Sequence, residues 1–191
     1  MTHDGDPCFF GYGSLVNRAT HAYPQAARAR VRGWARVWRG TSLRRVAYLS
    51  AVEAPGTEIE GLIAAVPGAD WRALDARERA YARHPLAQVS HDQIHDRPGP
   101  LSIMIYKVEP HHVSTEGPHP ILLSYLDTVV QGYLREFGET GVARFFETTR
   151  GWEVGVVNDR AAPQYPRAQQ TTTAERALVD AALRDLGVAV L

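Results

Sequence analysis

Between residues 8 and 108 the apolar residues fall into five short β-leaning runs, each bounded by glycine, proline or charge, and beyond residue 120 the pattern turns helical. This division limits the chain to folds in which a sheet is made first and helices are laid on it afterwards. The first run, Cys8-Phe9-Phe10, leads directly into Gly11-Tyr12-Gly13-Ser14, where two glycines stop a strand and permit positive φ or close backbone approach. Residues 31–39, 46–52, 59–66 and 101–108 are the other four. Glu53-Ala54-Pro55-Gly56 reads as a turn between the third and fourth, and Pro98-Gly99-Pro100 leads into the fifth. The first seven residues read as a loose tail.

Helices follow from period and capping. Asp70 is placed to cap a helix over residues 70–83 that Pro85 ends. Residues 121–137 have the strongest helical periodicity of the chain, with Gly138 as a stop, and 142–148 predict a short helix. Thr172-Thr173-Ala174-Glu175 has the capping-box pattern and opens a last helix that closes at Gly187. The stretch 160–167, broken by Pro163 and Pro166, reads as extended and superficial. The expected class is α+β: a strongly curved or barrel-like mixed sheet surrounded by helices. Residues 8–191 read as one domain, with 151–191 a C-terminal extension packed on it.

Composition narrows the partners. The 191 residues carry 21 Lys plus Arg against 21 Asp plus Glu, so no net charge draws the chain to nucleic acid or an anionic membrane. The local basic run Arg28-Ala29-Arg30-Val31-Arg32 reads as a solvated face. No apolar run approaches the ~20 residues of a membrane helix. Cys8 is the only cysteine, which excludes an intramolecular disulfide and fits a cytoplasmic location.

Two features carry chemistry. On a helix over residues 70–83, Trp71, Leu74, Glu78 and Tyr81 share a stripe about 80° wide at 100° per residue. A carboxyl group in the middle of an apolar face is desolvated if the face is buried, and becomes a poised acid or base. Pairing with an arginine such as Arg77 is the plain alternative. The second feature is the turn after the first strand, whose backbone N–H groups suit a carboxylate or phosphate. By spacing alone an ordinary structural turn is favoured there. The turn lacks the third glycine of a dinucleotide fingerprint, the Gly-Lys-Ser/Thr of a phosphate loop, and the glycine that would make Ser14 a nucleophile elbow. His91 with His95, and His111-His112 with His119, lie in loop-like stretches and read as solvated rather than metal-binding. Cys8 reads as a small core residue; Trp34, Trp38 and Trp71 read as core or pocket walls.

Phe9-Phe10-Gly11-Tyr12-Gly13-Ser14-Leu15, followed by Leu74-Asp75-Ala76-Arg77-Glu78-Arg79-Ala80-Tyr81, resembles the γ-glutamylcyclotransferase-like superfamily, including its ChaC branch. Val31-Arg32-Gly33-Trp34 and Glu60-Gly61-Leu62-Ile63 are similar to its connecting strands. The resemblance implies a small mixed β-barrel with helices around it. It implies an enzyme that cyclises a small-molecule γ-glutamyl compound to 5-oxoproline, with Glu78 as general acid/base. Tyr12, Gly13, Ser14, Leu15 and Tyr81 would bind the substrate, and neither cofactor nor metal is required. Oligomeric state and leaving amine stay open. The ChaC branch has glycines after its glutamate, where this chain has Arg79-Ala80. A non-catalytic ligand binder on the same fold, and a hydrolase using Ser14 or a histidine-bound metal, are the competing readings.

Overall fold

A computed structural model describes residues 5–92 and 101–191. His95 and the Pro98-Gly99-Pro100 lead-in lie outside the described residues. The strands are β1 (Cys8–Gly11), β2 (Ala27–Thr41) and β3 (Arg44–Ala65). Helix α1 (Arg72–Arg77) follows, then strands β4 (Tyr81–Pro85), β5 (Val89–His91), β6 (Ile103–Val108) and β7 (Ile121–Leu122). Helix α2 (Leu123–Glu147), strands β8 (Thr149–Arg150) and β9 (Val156–Val157) and helix α3 (Thr173–Asp185) complete the order.

The main sheet runs β4-β6-β1-β3-β2-β5, with β8 also on β2; β7 and β9 form a separate pair. β1 is parallel to β6 and antiparallel to β3. The class is α+β with a large curved sheet. The barrel alternative is not realised: among the described residues no pairing joins the edge strands β4 and β5.

The curvature has an identifiable source. The turn expected at residues 53–56 does not separate two strands, because β2 pairs with both halves of one 22-residue β3. Between the pairs Arg32↔Glu58 and Trp34↔Glu53, residues 54–57 bulge out opposite Gly33 alone. Gly33 and Gly56 take φ of 80° and 84°, values a β-carbon resists. The insertion bends the hairpin. Its near half then turns toward β6 and β4, where Ser50 Oγ accepts the Val108 N–H at 3.0 Å and Leu49 O accepts the Tyr81 hydroxyl at 3.0 Å.

Alternation along β2 behaves as its sequence dictates. Ala29 and Val31 are buried while Arg28, Arg30 and Arg32 face out and meet Asp92, Glu60 and Glu58. On the other face α2 lays down Leu126, Val129, Val130 and Tyr133, all at most 1% exposed. Each such buried side chain contributes about 1.5–3 kcal/mol. α2 is two helical pieces that meet at the expected stop, Gly138, with φ 67° and ψ −171°. The second piece brings Phe145 and Phe146 against Trp152. α3 carries the full capping box, Thr172 Oγ1 accepting the Glu175 N–H and Glu175 Oε2 accepting the Thr172 N–H. Cys8 and Trp38 are core residues.

Two further expectations are corrected. The helix over residues 70–83 stops at Arg77, because from Tyr81 the backbone pairs with β6, Tyr81↔Val108 to Pro85↔Met104. Pairing on a sheet edge outweighs local helical preference, and Pro85 is tolerated because β4 is an edge strand. The N-terminal stretch is not loose from residue 6 onward. Asp6 is buried and accepts the Gly68 N–H at 2.9 Å, and Pro7 O accepts the Val66 N–H at 2.8 Å.

Candidate active site

β1 is only four residues long, and the site lies just past its end. Gly11 and Gly13 are there for close approach, not for positive φ: a β-carbon on Gly11 would stand 2.5 Å from that of Leu15, and one on Gly13 2.6 Å from the Tyr125 hydroxyl. The chain therefore folds tightly into the single 3-10 turn Ser14–Val16. Leu15 points into a second, smaller core with Phe9, Ala64, Val66, Leu74 and Tyr106. Leu74 is the one fully buried residue of α1, so this core sets the helix against β1. Glu78, at the end of that helix, still closes its last turn through its N–H to Leu74 O at 2.9 Å.

Tyr12, Gly13, Ser14, Leu15, Glu78 and Tyr81 line one recess of about 30 Å³ with Tyr125. Ser14, Glu78, Tyr81 and Tyr125 also line an adjoining cavity of about 210 Å³. Its remaining wall includes Arg44, Tyr48, Arg77, Tyr165 and Arg167. The Glu78 side chain is 16% exposed, and Arg77 Nε lies 3.2 Å from its Oε1. Arg77 also donates to Ser14 Oγ at 3.1 Å and to Thr20 O at 2.9 Å. The plain pairing of Glu78 with Arg77 thus exists, and it sits inside the cavity wall.

Burial pushes the Glu78 carboxyl above its ordinary range, while Arg77 and then Arg167 pull it back down. Burial raises the hydroxyls of Tyr12, Tyr81 and Tyr125 well above the normal phenol value, with Glu78 adding to each. All three stay neutral at physiological pH. The arrangement offers one desolvated carboxyl group that can take and return a proton, opposite a turn of backbone amides and neutral hydroxyls.

Arg36 supports the turn from below. It is 1% exposed, and its guanidinium donates to Tyr12 O at 3.2 Å, Glu60 O at 2.5 Å, Tyr133 Oη at 2.6 Å and Thr148 Oγ1 at 2.7 Å. Its sequence signal is weak, since it reads as one more charged residue on an alternating strand. Tyr125 was hidden in the apolar face of its helix. The histidines separate: His119 is buried and held by Thr41 O at 3.1 Å, whereas His111 and His112 lie on an exposed turn close to Glu109.

The profile of the family described as gamma-glutamyl cyclotransferase, AIG2-like, matches residues 9–125. The chain belongs to this family. A search of curated protein sequences finds no match. Among solved structures, an uncharacterized protein from Homo sapiens superposes with a TM-score of 0.56 at 13% identity, over 92% of this chain and 99% of that one. A gamma-glutamyl cyclotransferase gives 0.53 at 12% identity, over 92% and 99%. YkqA from Bacillus subtilis gives 0.54 at 17% identity, and the match covers 76% of this chain but only 56% of YkqA. At these identities the likeness is one of fold. The cyclotransferase-family match contains the turn, Glu78 and Tyr81, and ends at Tyr125, before the Tyr165–Arg167 wall.

Proposed function

We propose that this member of the family is an active γ-glutamyl cyclotransferase: it cyclises a small γ-glutamyl compound to 5-oxoproline and releases an amine, with Glu78 as the proton carrier. One observation carries the reading. A carboxyl group raised by burial shares a cavity wall with the Gly13–Leu15 turn and is tied to that turn through Arg77.

The reaction needs no external nucleophile. The substrate's α-amine attacks its own γ-carbonyl carbon, the new C–N bond closes a five-membered ring, and the γ C–N bond to the departing amine breaks. Folding the substrate in the cavity supplies the proximity. The two protons lost by the α-ammonium end on the departing nitrogen, which leaves as an ammonium, and Glu78 carries them one at a time. The amides of the turn hold the γ-carbonyl oxygen as it gains charge. Tyr12, Tyr81 and Tyr125 wall the recess, and Ser14 shapes it. The Ser14 hydroxyl accepts a hydrogen bond from a guanidinium, which disfavours a role as activated nucleophile. Residues 8–191 act as one unit in this reading, with residues 151–191 supplying one side of the cavity.

The test is 5-oxoproline release from a panel of γ-glutamyl compounds, run with wild type and Glu78→Gln. Release by the wild type and loss in the variant supports the proposal. Binding without release by the wild type would make the protein a ligand binder on a cyclotransferase fold.

A further inference from the structure

Arg44 and Arg167 both line the cavity and are both exposed, and neither forms an ion pair with a carboxylate among the described residues, Arg167 acting on Glu78 only from a distance. Arg77 and Glu78 offset each other, so the cavity carries two surplus positive charges. A γ-glutamyl group does not match that surplus, because its α-carboxylate and α-ammonium sum to zero. A second carboxylate, on the other side of the scissile bond, does.

Arg167 is delivered to this place by a moored segment. Buried Asp159 accepts the Ser124 N–H at 2.8 Å, the Ser124 hydroxyl at 2.6 Å and the Gln164 N–H at 2.9 Å. Arg160 grips Asp127 with two hydrogen bonds, at 2.7 and 2.8 Å. The Tyr165 ring then packs edge-on against Tyr125, 4.9 Å between centroids, and the Arg167 carbonyl accepts from Gln169 Nε2 at 3.0 Å. None of these mooring contacts lies wholly within the region matched to the family, which ends at residue 125. A guanidinium presents paired donors that fit a carboxylate better than an ammonium does.

We infer that Arg167, with Arg44 on the same cavity wall, binds a carboxylate carried by the leaving amine, so that the substrates are γ-glutamyl amino acids or peptides with a free carboxylate near the departing nitrogen. This rests on the cyclotransferase reading above. It makes the C-terminal segment the part of the chain that selects the leaving group, while the turn and Glu78 perform the chemistry.

The experiment compares γ-glutamyl-α-aminobutyrate with its carboxamide, which differ only in that one charge. kcat/KM for 5-oxoproline release is measured for wild type, R167Q and R167K, with thermal melting to confirm that each variant is folded. The expected result is a preference of about tenfold or more for the acid in the wild type. The ratio falls near one in R167Q and is partly kept in R167K. Equal use of both compounds by the wild type overturns the inference. So does an equal loss on both in R167Q, which would leave the guanidinium acting only on the glutamyl part or on Glu78. If neither compound yields 5-oxoproline while another member of the γ-glutamyl panel does, the inference is overturned and the cyclotransferase reading stands; if no member does, that reading fails, and calorimetric titration of the same two compounds decides the site. Tighter binding of the acid that disappears in R167Q upholds it; equal binding, or none, overturns it.

Discussion

Ser14 and Glu78 are joined through a single guanidinium: Arg77 donates to Ser14 Oγ at 3.1 Å and stands 3.2 Å from Glu78 Oε1. The turn that would hold the substrate and the acid that would move its protons are thereby fixed to one another. Arg77→Leu would cut this link and leave Glu78 and Thr20 O short of a partner. A stability loss of about 1–3 kcal/mol is expected in chemical denaturation. A drop in kcat larger than the rise in KM should accompany it.

Glu78→Gln keeps the side-chain shape and removes the titratable group. Turnover should fall by about 10²–10⁴-fold, the usual contribution of a general acid/base, with binding of a γ-glutamyl compound retained in calorimetry. Near-wild-type turnover would take Glu78 out of the mechanism.

The direction of the Glu78 shift fixes two pH trends. As a base the group must be ionised, so kcat/KM should fall on the acid side with an apparent pKa above the ordinary carboxyl value. Removing the Arg167 charge takes away one of the influences holding that value down, so R167Q should move the acid limb to higher pH. For stability the sign runs the other way from a salt-bridged carboxylate. A raised carboxyl favours the fold while protonated, below its unfolded value of about 4.3, and this is lost as pH rises through the folded value. The Tm of Glu78→Gln relative to wild type should therefore climb as pH rises from about 4 through the folded value of Glu78.

Gly13 faces the Tyr125 hydroxyl so closely that an added methyl would stand 2.6 Å from it. Gly13→Ala should cost about 10²-fold in kcat/KM by displacing the turn by a fraction of an ångström to an ångström. Because the clash is with the hydroxyl oxygen, adding Tyr125→Phe should recover part of that loss. A double mutant no better than the product of the singles would locate the strain elsewhere.

Arg36→Met would remove the guanidinium donors from beneath the Tyr12 and Glu60 carbonyls in a fully buried place, leaving the Tyr133 hydroxyl alone to serve both. A destabilisation on the order of 3 kcal/mol is expected, read as a shift in the urea midpoint at unchanged slope.

What the sequence discloses follows the range of the forces involved. The Thr172–Glu175 capping box and the break at Gly138 are legible because three or four neighbouring residues decide them. Glu78 is legible for a related reason: the helical stripe Leu74–Glu78 survives to the last turn of α1. The stripe fails at Tyr81, whose backbone answers to Val108 across the sheet, a partner no local pattern announces. Tyr81 nonetheless reaches the cavity, from a strand instead of a helix. The bulge at residues 54–57 looks like a turn in isolation, and only the length of β2 beside it makes the two halves one strand. Arg36 is the extreme case, since its four acceptors come from Tyr12, Glu60, Tyr133 and Thr148, scattered over the chain. The cyclotransferase resemblance gives the Gly11–Ser14 turn a ligand where spacing alone favours an ordinary turn, and nothing local in the extended stretch 160–167 announces that Tyr165 and Arg167 reach the cavity wall.

The shortness of β1 has a consequence for how such a molecule changes. Past Gly11 no strand among the described residues continues between β3 and β6, which are then joined by the Ser50–Val108 hydrogen bond, and the interval left by β1 holds the candidate site. The length of that interval follows from how soon one strand stops, and Tyr125 of α2 closes one side of it. A chain built this way is free to exchange the segment that walls the interval, residues 165–167 here, while its interior stays as it is.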